Sequence, residues 1–264
     1  MSIIVIAIII VAAIGLIAGI GLSFASVALE VPTDERVQKA RELLPGANCG
    51  GCGFSGCDAY AEAVINGKAD ATLCAPGGAE VAKGIAAILG VEAGEFQEKI
   101  AKVRCNGGCE NTEKKYEYRG IKSCAAVTTL FSGDNSCNFG CLGLGDCVKA
   151  CPSGAIKINS NGVAEVDGYE CTGCGACANA CPKGVIDIVP KVRGTYTVTC
   201  NNKDKGAISR KVCKVSCIGC GICKKQCESE AITIDNNLAS INPSLCTGCG
   251  KCSEKCPQKC IVKA

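Results

Sequence analysis

The chain opens on an unbroken apolar run. Ile3 to Leu29 contains no ionisable residue, and only Ser23 and Ser26 are clearly polar. Its 27 residues predict roughly 40 Å of helix at ~1.5 Å each, enough to cross a ~30 Å hydrocarbon core with tilt. A cleaved signal peptide is the alternative, but a basic leader is missing and the apolar stretch is too long for one. Arg36, Lys39 and Arg41 follow the run and favour a cytoplasmic location for everything after it, although Glu30, Asp34 and Glu35 lie among them. The expectation is therefore a single-pass anchor in the cell inner (cytoplasmic) membrane, with the remainder on the cytoplasmic side. Gly15 and Gly19 form a small-xxx-small pair suited to close helix packing, or are simply ordinary membrane-helix glycines. With no charge inside the span, this helix anchors or docks and does not itself conduct an ion.

Beyond the apolar run the periodicity becomes amphipathic. Thr33 is placed to cap a short helix with apolar positions Val37, Ala40, Leu43 and Leu44, stopped by Pro45-Gly46. Cys57 to about Ile65 reads as a helix ending near Gly67, and Ala79 to Leu89 as another ending at Gly90. Short strands are expected at Ala155–Ile158 and Ala231–Ile234.

Cysteine then changes the picture, with 26 among 264 residues. Three blocks read C-x-x-C-x-x-C-x-x-x-C: Cys171/Cys174/Cys177/Cys181, Cys217/Cys220/Cys223/Cys227 and Cys246/Cys249/Cys252/Cys256. This spacing suits cubane iron–sulfur clusters: three thiolates wrap one cluster and the fourth reaches across to its neighbour. Disulfides between such near neighbours would constrain little of the unfolded chain. The chain also repeats itself. Cys124, Cys137, Cys141, Cys147 and Cys151 recur 76 residues later as Cys200, Cys213, Cys217, Cys223 and Cys227. Cys171, Cys174, Cys177 and Cys181 recur 75 later.

The crossed pattern assigns Cys217, Cys220, Cys223 and Cys256 to one cluster, and Cys227, Cys246, Cys249 and Cys252 to another. In the first copy, Cys151, Cys171, Cys174 and Cys177 form an equally clear set. Its partner keeps Cys141, Cys147 and Cys181, but Leu144 stands where the repeat places Cys220. Cys137 is the nearest candidate for the fourth ligand; Cys105, Cys109 or a three-iron cluster are the alternatives. Cys124/Cys137 and Cys200/Cys213 are repeat-related pairs that would converge on a further site, or else stay as buried thiols. Cys260 reads as a free thiol.

A separate module carries Cys49, Cys52, Cys57 and Cys74. Its Gly51-x-Gly53-x-x-Gly56 matches a dinucleotide fingerprint, but no apolar strand precedes it and cysteines interrupt it. Glycines that let the backbone wrap a cluster explain it better. Zinc on the same four thiols is the alternative.

Composition agrees. Tryptophan is absent and aromatics make up 4% of residues, so folding must lean on cofactors. The absence of histidine excludes Rieske centres and Cys2His2 zinc and removes the commonest general base. The formal charge of +3 counts cysteines as neutral; five oxidised cubanes at about −2 each would bring it to about −7. Basic residues then compensate buried anions, and a nucleic-acid surface is the poorer reading. Lys114-Lys115 and Lys224-Lys225 are solvated surface or a docking face for an acidic redox partner.

An anchor helix, a C-x-x-C-x-x-x-x-C…C module and ferredoxin repeats, in that order, resemble the B subunit of the Rnf complex, the ion-translocating ferredoxin:NAD oxidoreductase. The carrying residues are Asn48-Cys-Gly-Gly-Cys-Gly-Phe-Ser-Gly-Cys57 and the run from Cys141 to Cys151. Two ferredoxin units resemble the longer, clostridial type. The fold expected is a transmembrane helix (1–29), a juxtamembrane linker (30–46) and a mostly helical four-cysteine 4Fe-4S module (47–100), then tandem α+β bacterial-type two-cluster ferredoxin units (101–190 and 191–264). The resemblance implies an electron-transfer subunit with about five 4Fe-4S clusters, a sixth being the alternative, and no catalytic residues of its own. It also implies electrons from reduced ferredoxin, with flavin and NAD on partner subunits. Alternatives are a cluster subunit of another membrane oxidoreductase, a zinc-stabilised interaction protein and a secreted disulfide protein.

Overall fold

The computed structural model describes residues 2–28, 34–92 and 94–263. Helix α1 (Ser2–Ala28) contains 27 residues, and its described large apolar side chains, from Val5 to Phe24, all face outward with nothing packed on them. The unbroken stretch of described side chains inside it, residues 8–24, gives ~25 Å of helix. Among the described residues, no helix is long and apolar enough to cross a membrane.

Three helices build the first compact module: α2 (Glu35–Leu43), α3 (Cys57–Ile65) and α4 (Gly78–Leu89). The α2 cap falls on Asp34, whose carboxylate accepts the Arg36 N–H at 2.9 Å; Thr33, expected there, lies outside the described residues. Ala40, Leu44, Tyr60, Val64 and Ile85 form the core. Gly84 lets α4 approach α2, since a Cβ there would stand 2.8 Å from Leu43 Cδ1. Gly90, at φ +69°, closes α4 as the pattern predicts.

The first ferredoxin-like unit runs β1 (Lys99–Val103), α5 (Gly108–Asn111), α6 (Cys124–Thr128), α7 (Asp146–Ala150), β2 (Ile156–Ile158), β3 (Ala164–Val166), α8 (Ala176–Asn179) and β4 (Ile186–Pro190). The second runs β5 (Tyr196–Val198), α9 (Gly206–Val212), α10 (Ile222–Lys225), β6 (Ile232–Asp235), β7 (Leu238–Ile241), α11 (Lys251–Glu254) and β8 (Ile261–Lys263). In each unit the outer strands pair antiparallel, β1 with β4 and β5 with β8, as do the inner strands, β2 with β3 and β6 with β7. Thus β1 belongs to the first unit and starts at Lys99, two residues ahead of the boundary expected at 101. Each pair of ribbons buries a small apolar core in which cysteines sit beside Ile156, Val163 and Ile186, or beside Ile232, Leu238 and Ile261.

The units are stitched together. Lys214 N–H donates to Asn111 O at 2.9 Å, and the Thr112 hydroxyl donates to Val212 O. Asn201 Nδ2 donates to the carbonyls of Lys183 and Gly184 at 3.3 and 3.2 Å.

One residue position governs every cysteine loop in the two units. Gly143, Gly173, Gly219 and Gly248, each two after a block's first cysteine, have φ between +64° and +72°. A Cβ at any of them would strike a backbone carbonyl: that of Gly162, Lys99, Asn237 or Gly194 respectively. Both the left-handed conformation and the tight packing therefore require glycine. Gly173→Ala should cost roughly 2 kcal/mol or more, read as a lower denaturant midpoint under anaerobic conditions. A midpoint equal to that of the native chain would show that the loop relaxes freely.

Candidate metal centres

No two of the 26 cysteines are joined in a disulfide. Cys49, Cys52, Cys57 and Cys74 surround a cavity of about 330 Å³ in the first module. Asn48, at φ +45°, accepts the Cys57 N–H on its side-chain oxygen at 2.8 Å, so the loop closes on the start of α3. Burial pushes the Cys74 thiol up, and the thiols of Cys57, Cys52 and Cys49 add to the shift.

In the second unit, Cys217, Cys220, Cys223 and Cys256 line a cavity of about 350 Å³. Cys260 lines it too, its sulfur 3.6 Å from Cys256 Sγ. It is thus a fifth thiol at that site, and its hydrogen bond holds Cys256 down to about 5. Its place in the first unit is taken by Val185: Thr199 N–H donates to Cys260 O at 2.8 Å as Arg104 N–H donates to Val185 O at 2.7 Å. In the first unit, burial followed by the thiols of Cys171, Cys174 and Cys151 pushes Cys177 to about 11. In the second, burial and the thiols of Cys246 and Cys249 raise Cys252. Cys227, the expected fourth member of that set, repeats the setting of Cys151: Ser229 Oγ lies 3.5 Å from Cys227 Sγ, and Ser153 Oγ 3.6 Å from Cys151 Sγ.

The cavity of the incomplete set takes in a cysteine other than the expected Cys137. Cys141, Cys147 and Cys181 share a cavity of about 340 Å³ with Cys124, not with Cys137. Burial and then the thiols of Cys141, Cys124 and Cys181 push Cys147 to about 12. Leu144 packs against Cys124, Val127 and Leu142, so an apolar contact occupies the place of the missing thiol. Asp146 holds the α6 start in position: its carboxylate accepts Ser123 Oγ–H at 2.8 Å and Ala125 N–H at 2.9 Å. Against burial, which would raise it, those donors and the Cys124 N–H keep this carboxyl below its usual range.

Cys137 instead lines a cavity of about 360 Å³ together with Cys105, Cys200 and Cys213. The expected convergence of Cys124 with Cys137 does not occur, because the helix carrying Cys124 is drawn away to the neighbouring set. Cys109 is exposed; its N–H donates to Asn161 O at 2.9 Å, and it joins none of these cavities.

The thiols fit iron–sulfur clusters better than a lone ion. Four or five cysteines line each cavity, and among the described residues no three ligand side chains converge as a single-ion site. Backbone N–H groups also point at sulfur, as Ala101 does toward Cys171 at 3.5 Å.

The fold and these thiol sets define an iron–sulfur protein of tandem ferredoxin-like units. A family model described as "Putative Fe-S cluster" matches residues 44–76, and models described as 4Fe-4S dicluster domains match 136–185 and 216–261. The chain is 43% identical over 247 residues to the B subunit of the Na(+)-translocating ferredoxin:NAD(+) oxidoreductase complex of Acetobacterium woodii, covering 94% of this chain and 74% of the relative. With the proton-translocating counterpart of Clostridium ljungdahlii it shares 45% over 233 residues, 88% of this chain and 82% of that one. With the B subunit of the ion-translocating oxidoreductase complex of Methanosarcina acetivorans it shares 40% over 260 residues, 98% of each. It belongs to the family of Rnf complex B subunits, as the sequence resemblance implies.

Asp146→Ala removes the brace on Cys124. A loss of about 1 kcal/mol is expected, with faster release of iron to a chelator than from the native chain, while Asp146→Asn keeps part of the brace. Identical chelation kinetics for Asp146→Ala and the native chain would show that Cys124 is held without it.

Proposed function

We propose that the chain is the iron–sulfur electron-transfer subunit of an ion-translocating ferredoxin:NAD oxidoreductase complex, taking electrons from reduced ferredoxin and passing them toward the membrane. When bound, a 4Fe-4S cluster supplies a site that takes up and returns one electron. The residues that would hold the clusters are Cys49/Cys52/Cys57/Cys74, Cys124/Cys141/Cys147/Cys181 and Cys151/Cys171/Cys174/Cys177 in the first half. Cys217/Cys220/Cys223/Cys256 and Cys227/Cys246/Cys249/Cys252 would hold those of the second unit. Burial pushes the Cys147, Cys177 and Cys223 thiols up, so at these positions iron binding must drive deprotonation and is coupled to folding.

One observation carries the direction. Cys174 and Cys249 are repeat equivalents, yet Cys174 is buried and Cys249 exposed. The Gly51 loop of the first module makes the difference, pressing on the Cys174 carbonyl so closely that a Cβ on Gly51 would overlap it. The first unit thus faces the Cys49 module, while the second presents Cys220 and Cys249 to solvent. Exposed Lys224, Lys225 and Lys255 lie on that second unit, a surface suited to an acidic donor. The donor docks there, and the exit lies at the module nearest α1 in the chain. Flavin and NAD chemistry belongs to partner subunits.

Reduced ferredoxin should reduce the anaerobically isolated complex and give EPR signals from a chain holding at least about twenty irons. Lys224→Glu with Lys225→Glu should slow that reduction about tenfold at low salt and little at high salt. A rate indifferent to these charges at every ionic strength would move the docking face elsewhere. A colourless, zinc-loaded chain would end the electron-transfer reading.

Membrane anchoring by α1 is part of the same proposal. Its 27 residues amount to roughly 40 Å of helix, with no ionisable group and outward-facing apolar side chains that need covering. Arg36, Lys39 and Arg41 support a cytoplasmic position for the cluster units. The full chain should stay with the membrane pellet after alkaline carbonate washing when expressed without its partners. Release into the supernatant would show that α1 docks on protein instead.

A further inference from the structure

The cavity between the two ferredoxin-like units is lined by Cys141 of one set above and by four thiols that belong to none of the five, and the placement of those four is symmetric. Cys105 lies two residues beyond β1, and Cys200 lies two residues beyond β5. Their sulfurs accept matching backbone donors: Gly107 N–H at 3.4 Å and Cys141 N–H at 3.3 Å on Cys105, Asn202 N–H at 3.5 Å and Cys217 N–H at 3.2 Å on Cys200. Cys137 and Cys213 each stand four residues before the first cysteine of their unit's leading block. The site is therefore contributed half by each repeat, with Cys105 equivalent to Cys200 and Cys137 to Cys213. The 76-residue sequence offset conceals this, because Cys105 and Cys137 are 32 residues apart and Cys200 and Cys213 only 13. The 19 extra residues of the first unit carry Cys124 away to complete the neighbouring set.

Four further features point to an occupant. The cavity, about 360 Å³, matches those of the other thiol sets, about 330 to 350 Å³. Ser216 lines it, is 1% exposed, and its hydroxyl has no partner. Asn202, also 1% exposed, donates its side-chain N–H to Cys137 Sγ at 3.5 Å while its backbone faces Cys200, tying a thiol of one unit to a thiol of the other. Gly107 runs between the two remaining sulfurs: a Cβ there would stand 3.5 Å from Cys105 Sγ and 3.7 Å from Cys213 Sγ.

We propose that Cys105, Cys137, Cys200 and Cys213 hold a sixth 4Fe-4S cluster at the junction of the two units. This rests on the reading of the chain as a cluster relay. Its position gives it a purpose. Through Cys105 it abuts the backbone of Cys141, a member of the first unit's outer set. Through Cys200 it abuts the backbone of Cys217, a member of the second unit's. It joins two otherwise separate ferredoxin units into one conductor, and it locks their relative orientation because each unit supplies only two ligands.

The test is iron and acid-labile sulfide counting on the full chain, isolated anaerobically, with native mass spectrometry of the same sample. The native chain should carry six clusters, about twenty-four irons, and Cys137→Ser with Cys213→Ser should carry about twenty. Cys109→Ser should keep all of them. Five clusters in the native chain, with none lost in the double variant, would overturn the proposal, as would one zinc lost in place of four irons. The native mass decides the matter alone if the double variant does not fold. A chain without labile sulfide would instead defeat the relay reading itself.

Discussion

Every part of this protein beyond α1 depends on burying sulfur that binds metal. The apolar cores of the ferredoxin-like units are small, and cysteine contributes to both. Burial pushes Cys147 to about 12 and Cys177, Cys200 and Cys223 to about 11. An unmetallated thiol is therefore neutral there and contributes little cohesion, whereas ligation to iron turns the same groups into the strongest cross-links in the chain. The left-handed glycines and the N–H groups aimed at sulfur are consequences of that requirement.

The same constraint explains how the repeats diverged. The second unit keeps Cys220 and Cys249 exposed. The other needed contact with the Cys49 module, and its Cys174 is buried beneath the Gly51 loop. Leu144 stands where the repeat places Cys220, and a helix braced by Asp146 brings Cys124 to the cavity of Cys141, Cys147 and Cys181.

Membership of the family of Rnf B subunits fits a molecule with no histidine and several thiol-lined cavities. The chemistry belongs to the cofactors, and the polypeptide sets their spacing, their exclusion from water and the hydrogen bonds to their sulfurs. Cys260, beside Cys256, is one such contact; Val185 at the equivalent position in the first unit has no donor to offer.

A linear pattern encodes what short-range spacing can carry. C-x-x-C-x-x-C needs only a few residues to wrap a cluster, so the proposed sets around Cys49, Cys174, Cys220 and Cys249 follow from spacing alone; α3, α4 and the strands β2 and β6 were legible in the same way. Gly90 and the apolar periodicity of α4 likewise carry their meaning locally. Tertiary structure decided what depends on contacts between distant segments. Cys124 replaces Cys137 because α6 docks on Asp146 and Leu144, and nothing in the linear spacing records that docking. Cys105 pairs with Cys200 because both follow the first strand of a unit, an equivalence displaced in the sequence by the 19-residue excursion. Loop insertions shift sequence offsets without moving the strands that carry ligands, so register in space survived where register along the chain did not.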